Sequence, residues 1–317
     1  MTAETLVEPT LESVETRLRD ELARGDAMRS AAAPILRHLV ANEDQALLND
    51  EVVARVRGML THLARQLLHA QAEAAGVTDP RPFVAEREDD LAHRLADEPG
   101  LLAHTHALTI EARMALQLQA RCNIDPVLCP LVQELVASRD DSVAGTAMAL
   151  LAAQARFIQH YRRMAVPLGE LPGDLLHIAL LAMRACAGEH ETAAVTAERT
   201  LRDAFDEGRG RIGLIAHLVA RMGTRAPLDL DQAGLAIFAT ALAQASGQGR
   251  DSTVVSFSGR QIARFALAMR AAGLEQRALQ KQVLYLNPDG ALPEGFDKLS
   301  ADRAATLLTA GSRGNLT

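Results

Sequence analysis

Tryptophan is absent from this 317-residue chain, tyrosine occurs twice and phenylalanine seven times, so aromatic residues make up only 3% of it. A β-sandwich or barrel of this size would lack the aromatic side chains that strands use for cross-strand packing. Lysine is almost missing too: the 33 basic residues comprise 31 Arg and two Lys, Lys281 and Lys298. Beside 58 Ala, that bias reads as the imprint of a GC-rich coding sequence and not as a design for arginine-mediated recognition. Cysteine is scarce: Cys122, Cys129 and Cys186 are odd in number and lack the dense spacing of a secreted disulfide framework, so a reducing cytoplasm is the expected setting. Met1 to Pro9 carries two Glu and no apolar stretch, which excludes a secretory signal there. Long apolar runs are also missing. The longest uncharged run, Gln232 to Gly249, spans 18 residues but includes three Gln, one Ser and three Gly, too polar to cross a bilayer.

What the chain does have is helical periodicity. Hydrophobic residues at 48% and charged residues at 23% place it among globular proteins. A net charge of −7 argues against a broad nucleic-acid or anionic-membrane footprint. Leu150, Leu151, Phe157, Ile158 and Tyr161 form one apolar stripe, with Gln154, Arg156 and Arg163 off it. Extended along the chain, such spacing predicts an all-α fold with helices near 10–24, 33–41, 44–75, 84–95, 100–121, 126–138, 142–164, 172–187, 190–207, 211–222, 230–246, 259–272, 274–286 and 299–310. Gly25, Gly188, Gly223, Gly247 and Gly273 are the expected stops, and Pro126, Pro172 and Pro227 the expected starts. The segment 175–183, apolar all round except for His177, is expected at the centre.

Two prolines in Gly76 to Pro82 mark an extended link, dividing an N-terminal helical segment, 1–78, from a helical-repeat domain, 83–317. Ser246 to Gly259 reads as a long loop with one β-favouring run, Thr253 to Phe257. From about 126 onward the helices fall into pairs, 126–164, 172–207, 211–246 and 259–286, the period of stacked helical hairpins in an α-solenoid. Asp140-Asp141-Ser142 followed by Val143, Ala144, Ala147 and Leu151, and Asp26 followed by Met28, Arg29, Ala32 and Leu36, resemble the acidic turn and second-helix opening of HEAT repeats, although Ala144 stands where the usual Arg would sit and Pro34 interrupts the other copy.

A wider likeness lies in Ala153 to Phe157, Arg162 to Met164, Pro167 to Pro172, Leu175 to His177 and Ala179 to Leu181, then Ala263 to Leu274, Tyr285 to Pro288 and Pro293 to Phe296. Over roughly 135–310 the chain resembles an uncharacterised alphaproteobacterial all-helical family of HEAT-like proteins. The resemblance implies a fold and a bacterial cytoplasmic setting, with no catalytic motif.

Candidate chemistry is thin. His62 and His69 lie seven apart on one helix face, His104-Thr105-His106 are neighbours, and Cys122 and Cys129 enclose six residues; none has zinc-ligand spacing. His177 in an apolar helix reads as a core histidine, and Glu189-His190-Glu191 as an acidic helix start. The glycines of Gly208 to Gly213 lack the strand and the Lys-Ser/Thr of a phosphate loop, and no catalytic, metal or cofactor residue is assigned. Arg264 to Tyr285 has the outline of a helix-turn-helix carrying Arg277 and Lys281, the alternative reading being a DNA-binding regulator; an enzyme with an unrecognised site is a third.

The leading reading is a non-enzymatic interaction module, an adaptor or regulator with a protein partner, neither a nucleic acid nor a membrane. Its surface is expected at the elbow Arg162 to Pro172, where Arg162 and Arg163 would meet an acidic partner, Leu168 would be the apolar anchor and Glu170 would lie alongside. Without metal-ligand or disulfide spacing, folding should need neither: chelator and reductant are expected to leave the melting temperature unchanged within a few degrees, and a large drop with either would reveal a misread His62/His69 or Cys122/Cys129 pair.

Overall fold

The computed structural model describes residues 10–41, 50–222 and 226–313. Among them lie fourteen α-helices and no strand: α1 (Leu11–Ala41), α2 (Asp50–Ala74), α3 (Pro80–Ala96), α4 (Pro99–Cys122), α5 (Pro130–Val136), α6 (Asp141–Arg162), α7 (Gly173–Ala185), α8 (Glu191–Ala204), α9 (Arg211–Arg221), α10 (Leu230–Ser246), α11 (Arg250–Ser256), α12 (Ile262–Ala271), α13 (Gln276–Leu286) and α14 (Ala301–Arg313). No described helix is long and apolar enough to cross a membrane. Several starts follow from side-chain caps. The Asp79 carboxylate accepts the Arg81 N–H with Pro80 at the first helical position, and Asp140 accepts the Ser142 and Val143 N–H groups at 2.9 and 3.2 Å.

Thr253 to Phe257 is not β: Thr253 to Ser256 belong to α11, whose Val254 is fully buried, and Phe257 closes its end. Phe257 there joins Phe238 and Phe265, with ring centroids 5.3–6.2 Å apart, so tertiary packing decides what local β-propensity does not. The helices predicted at 10–24 and 33–41 are one, α1, which runs through Gly25 and Pro34. Asp26, expected in an acidic turn, sits inside that helix as a buried carboxylate bound by Arg264 and by Arg29 at 3.1 Å. Separating those buried charges would cost more than the ~1 kcal/mol that glycine costs a helix. The segment predicted from 44 is described from Asp50 onward, and the stop expected at Gly223 lies outside the described residues.

The chain forms two compact units. One comprises the described residues up to 31 with 114–131 and those from 222 onward; the other comprises 32–113 and 132–221. Gly76 to Pro82 lies within the second, as the turn between α2 and α3, which pack against each other. Gly76 takes a left-handed φ of 71°, the Val77 N–H returns to the Ala72 carbonyl at 3.0 Å, and Pro80 opens the next helix, so the prolines start a helix where an extended link was expected. A solenoid would restrict contacts to neighbouring repeats. In the second unit, however, α2 packs on α7 and α8, more than a hundred residues away in sequence, and α6 on α9.

In the second unit, the part of α4 up to Arg113 is closed in on nearly all sides: Leu101, Leu102, Ala107, Leu108 and Ala112 are buried, together with His104, Thr105, Thr109 and Glu111. The hydroxyls of Thr105 and Thr109 return to the carbonyls of Leu101 and Thr105 at 2.8 and 2.9 Å, so their burial leaves no unmet donor. That central place was expected for the helix at 175–183. Instead α7 exposes His177 and Leu181, and the His177 ring meets Arg202 of α8. In the first unit, α12 is buried from Ala263 to Met269 and packs on α10 and α14. Helix α10 bends at Gly234, whose φ of 66° and ψ of 167° no side chain would easily allow, and a Cβ there would stand 3.3 Å from that of Cys129.

His106 on α4 generates a pH dependence. Desolvation, reinforced by the Arg113 guanidinium, holds its imidazole below the ordinary value. The folded chain therefore binds this proton less readily than the unfolded one, whose imidazole titrates near about 6.5. Its contribution to stability is full above that pH and is lost as pH falls below it. Melting temperature should decline from pH ~7 toward ~5.5, and His106→Gln should flatten the slope over that window. An unchanged slope would place the titration elsewhere.

Candidate functional site

The elbow between α6 and α7 is built from helix ends. At the close of α6, Met164 occupies the left-handed position with φ 53°, its N–H bonding the Tyr161 carbonyl at 3.1 Å while the Ala165 N–H bonds that of His160 at 2.9 Å. This is the Schellman pattern, with methionine where glycine is usual. Such a residue costs roughly 1–2 kcal/mol and persists only when its surroundings hold it there.

One face of α2 supplies those surroundings. Arg55, Gly58, His62 and Gln66 recur at helical spacing, and each meets the elbow or the end of α6. Arg55 donates to the Tyr161 carbonyl at 2.7 Å and lies 4.0 Å over the Tyr161 ring. Gly58 leaves a notch for Met164: a Cβ at 58 would come within 2.6 Å of the methionine Cβ. His62 Nδ1 is 2.9 Å from the Val166 carbonyl and 2.8 Å from the Gln66 amide nitrogen. Gln66 uses both ends of its amide, donating to the Val166 carbonyl at 2.9 Å and accepting the Leu168 N–H at 3.0 Å. His62 is thus a tether for the elbow; His69 is exposed.

Beneath the elbow lies a buried ion pair. The Arg211 guanidinium bonds both oxygens of Glu111 at 2.6 and 3.1 Å and the Gln154 carbonyl oxygen at 3.2 Å. It also lies 3.8 Å over the Phe157 ring, and the paired side chains are 2% and 1% exposed. At the start of α9 the Arg211 N–H donates to Glu170 at 2.7 Å, so an elbow carboxylate caps that helix from outside it. Between elbow and ion pair is a cavity of about 20 Å³, space for one water, lined in part by His160, Glu170, Phe157 and Arg211. Burial holds the His160 imidazole below its usual value, with Glu170 pulling the other way.

The four expected residues are placed unequally. Arg162 and Arg163 are exposed at the tip, and neither forms an ion pair among the described residues. Leu168 is 8% exposed and belongs to the core, so it cannot be the apolar anchor. Glu170 is half-buried and bound to α9. Met164, 38% exposed, is the apolar group that accompanies the arginines. The glycines of Gly208 to Gly213 serve close approach: a Cβ on Gly210 would meet the Gly169 carbonyl at 3.1 Å, and one on Gly213 the Glu207 carbonyl at 2.3 Å. Missed from sequence were Glu111, Gln154 and Arg211; a charged residue in the otherwise apolar stretch of α4 was the available signal.

Among the described residues no three His, Cys, Asp or Glu side chains come together to hold a metal ion. None of the three cysteines forms a disulfide among the described residues, and Cys129 donates to the Ala233 carbonyl at 3.0 Å. His190 stacks edge-on against Phe83 with ring centroids 5.1 Å apart. Compared with protein-family models, curated proteins and solved structures, the chain matches none.

Removing one partner of a buried ion pair strands the other's charge, whereas replacing both with apolar groups need not. Arg211→Met is expected to destabilise the protein by about 3–5 kcal/mol, and Glu111→Leu added to it should recover most of that loss. Chemical denaturation of the single and double variants checks this; equal losses in both would show that the pair does not act as a unit.

Proposed function

We propose that this chain is a non-enzymatic helical interaction protein, an adaptor or regulator in a bacterial cytoplasm, that holds an acidic protein partner at the tip of the elbow. The carrying observation is that Arg162 and Arg163, adjacent and exposed, stand on a backbone fixed from α2 and α9. A loop already ordered before binding loses little entropy when a partner docks, so its contacts convert more fully into affinity. Two guanidinium groups present paired donors to carboxylates, and Met164 supplies adaptable apolar contact. Glu170 positions the platform from below, and the anchor role expected of Leu168 passes to Met164.

A DNA-reading role for α12 and α13 finds less support. Arg264 is buried against Asp26 and Gln248, while Lys281 lies 2.9 and 3.1 Å from Asp229 and Asp231. Arg277 is the cation left on the exposed face of α13, alongside an exposed Leu284. A recognition helix should present several basic or amide groups to the groove.

The test is affinity capture from native lysate, identification of the bound protein, and direct titration with it. Arg162→Glu combined with Arg163→Glu should abolish binding and leave the melting temperature nearly intact, because exposed charge changes usually cost within about 0.5 kcal/mol. Unchanged binding by the folded double variant would remove the elbow from consideration.

A further inference from the structure

Helix α6 buries Ala147, Leu150, Ala153, Gln154, Ile158 and Tyr161 on one side. Its other side is exposed at Asp141, Gly145, Met148, Ala149, Ala152, Arg156 and Gln159. At 100° per residue these seven share a face about 100° wide. Met148, midway along it and at one edge, is 52% exposed, and between Asp141 and Arg156 the chain carries no charged residue. Ser142, also exposed, borders this face at its acidic end and accepts from Arg221 at 3.0 Å, and between Asp141 and Arg156 the face itself carries only Gly145, Met148, Ala149 and Ala152.

The order of residues on that face suits a second copy of the same helix. Take a two-fold axis through the midpoint between Met148 and Ala149 and lay a second copy of the helix antiparallel across the first. Asp141 then faces the partner's Arg156, Gly145 faces the partner's Ala152, and Met148 faces the partner's Ala149. Every pairing occurs twice, as a two-fold interface requires. The match is one of charge as well as shape. Asp141 and Arg156 are separated by about 22 Å along the helix at 1.5 Å per residue, so each end of the contact receives one acid and one base. Neither forms an ion pair among the described residues of its own chain. A parallel pairing would instead set Asp141 against Asp141 and Arg156 against Arg156. Gly145, Ala149 and Ala152 let the axes approach to roughly 8 Å, the close end of helix packing, where an arginine reaches a facing carboxylate.

We propose that this face of α6 is a homodimer interface: two copies of the chain pack antiparallel through Met148, Ala149 and the small residues beside them, with reciprocal Asp141 to Arg156 ion pairs at the ends. The assembly is independent of the elbow reading, since Arg162 and Arg163 lie outside these pairings.

Sedimentation of the full chain should show the 34.0 kDa monomer giving way to a species of twice that mass as concentration rises. Asp141→Arg sets like charges together at both ends and should weaken the dimer at least about tenfold, and Arg156→Asp should do the same. The two substitutions combined re-create opposite pairs and should restore dimerisation. That recovery identifies the antiparallel pairing and separates it from a loss of fold. Independently, Met148→Cys in a chain with Cys122→Ser and Cys186→Ser should cross-link on oxidation, because position 148 lies beside the axis. A chain that stays monomeric at all concentrations, a dimer indifferent to the charge changes, a combined variant that stays dissociated, or a Met148→Cys variant that fails to cross-link would each overturn the proposal.

Discussion

A guanidinium removed from water must keep its carboxylate, and the contact of Arg211 with Glu111 imposes that condition on the second unit. To meet it, α4 must present Glu111, α6 must present Gln154 and Phe157, and α9 must begin where Arg211 enters. Once α9 begins there, its first N–H needs an acceptor, and Glu170 of the elbow supplies it. The elbow's position therefore follows from the buried charge. The α2 side chains Arg55, His62 and Gln66 then fix the backbone between Tyr161 and Leu168 from the opposite side.

The first unit solves a similar problem with a similar device. Asp26, inside α1, takes Arg264 of α12, which also reaches Gln248, and Arg29 reaches Ser252. Buried pairs of this kind contribute little net stability compared with apolar residues of the same volume; they penalise any packing that separates them. Such penalties matter in a chain with few aromatic side chains. Alanines at positions 147, 153, 179, 194 and 197 fill helix contacts that bulkier residues would otherwise specify by shape, and three of the seven phenylalanines are gathered at Phe238, Phe257 and Phe265.

The helices of this chain were legible in its sequence because periodicity and caps are local. Asp140 and Gly247 mark ends that the structure places within a few residues of expectation. What local signals missed depends on distant partners. Gly25, an expected stop, lies inside a helix whose next residue, Asp26, binds Arg264, and Phe257, at the end of the β-favouring run, packs on Phe265. The elbow was visible as a stiff, proline-flanked segment with two arginines. Which of its residues point outward was not, because Leu168 is buried by groups from elsewhere in the chain and Glu170 answers a helix forty residues downstream.

The elbow is a rigid platform and not a compliant loop. Native-state hydrogen exchange at the Leu168 and Arg211 amides tests it most directly, because Gln66 and Glu170 hold those two N–H groups. Both amides should be protected about as well as those of the buried helix α4. Exchange at the rate of an exposed loop, with α4 still protected, would contradict it.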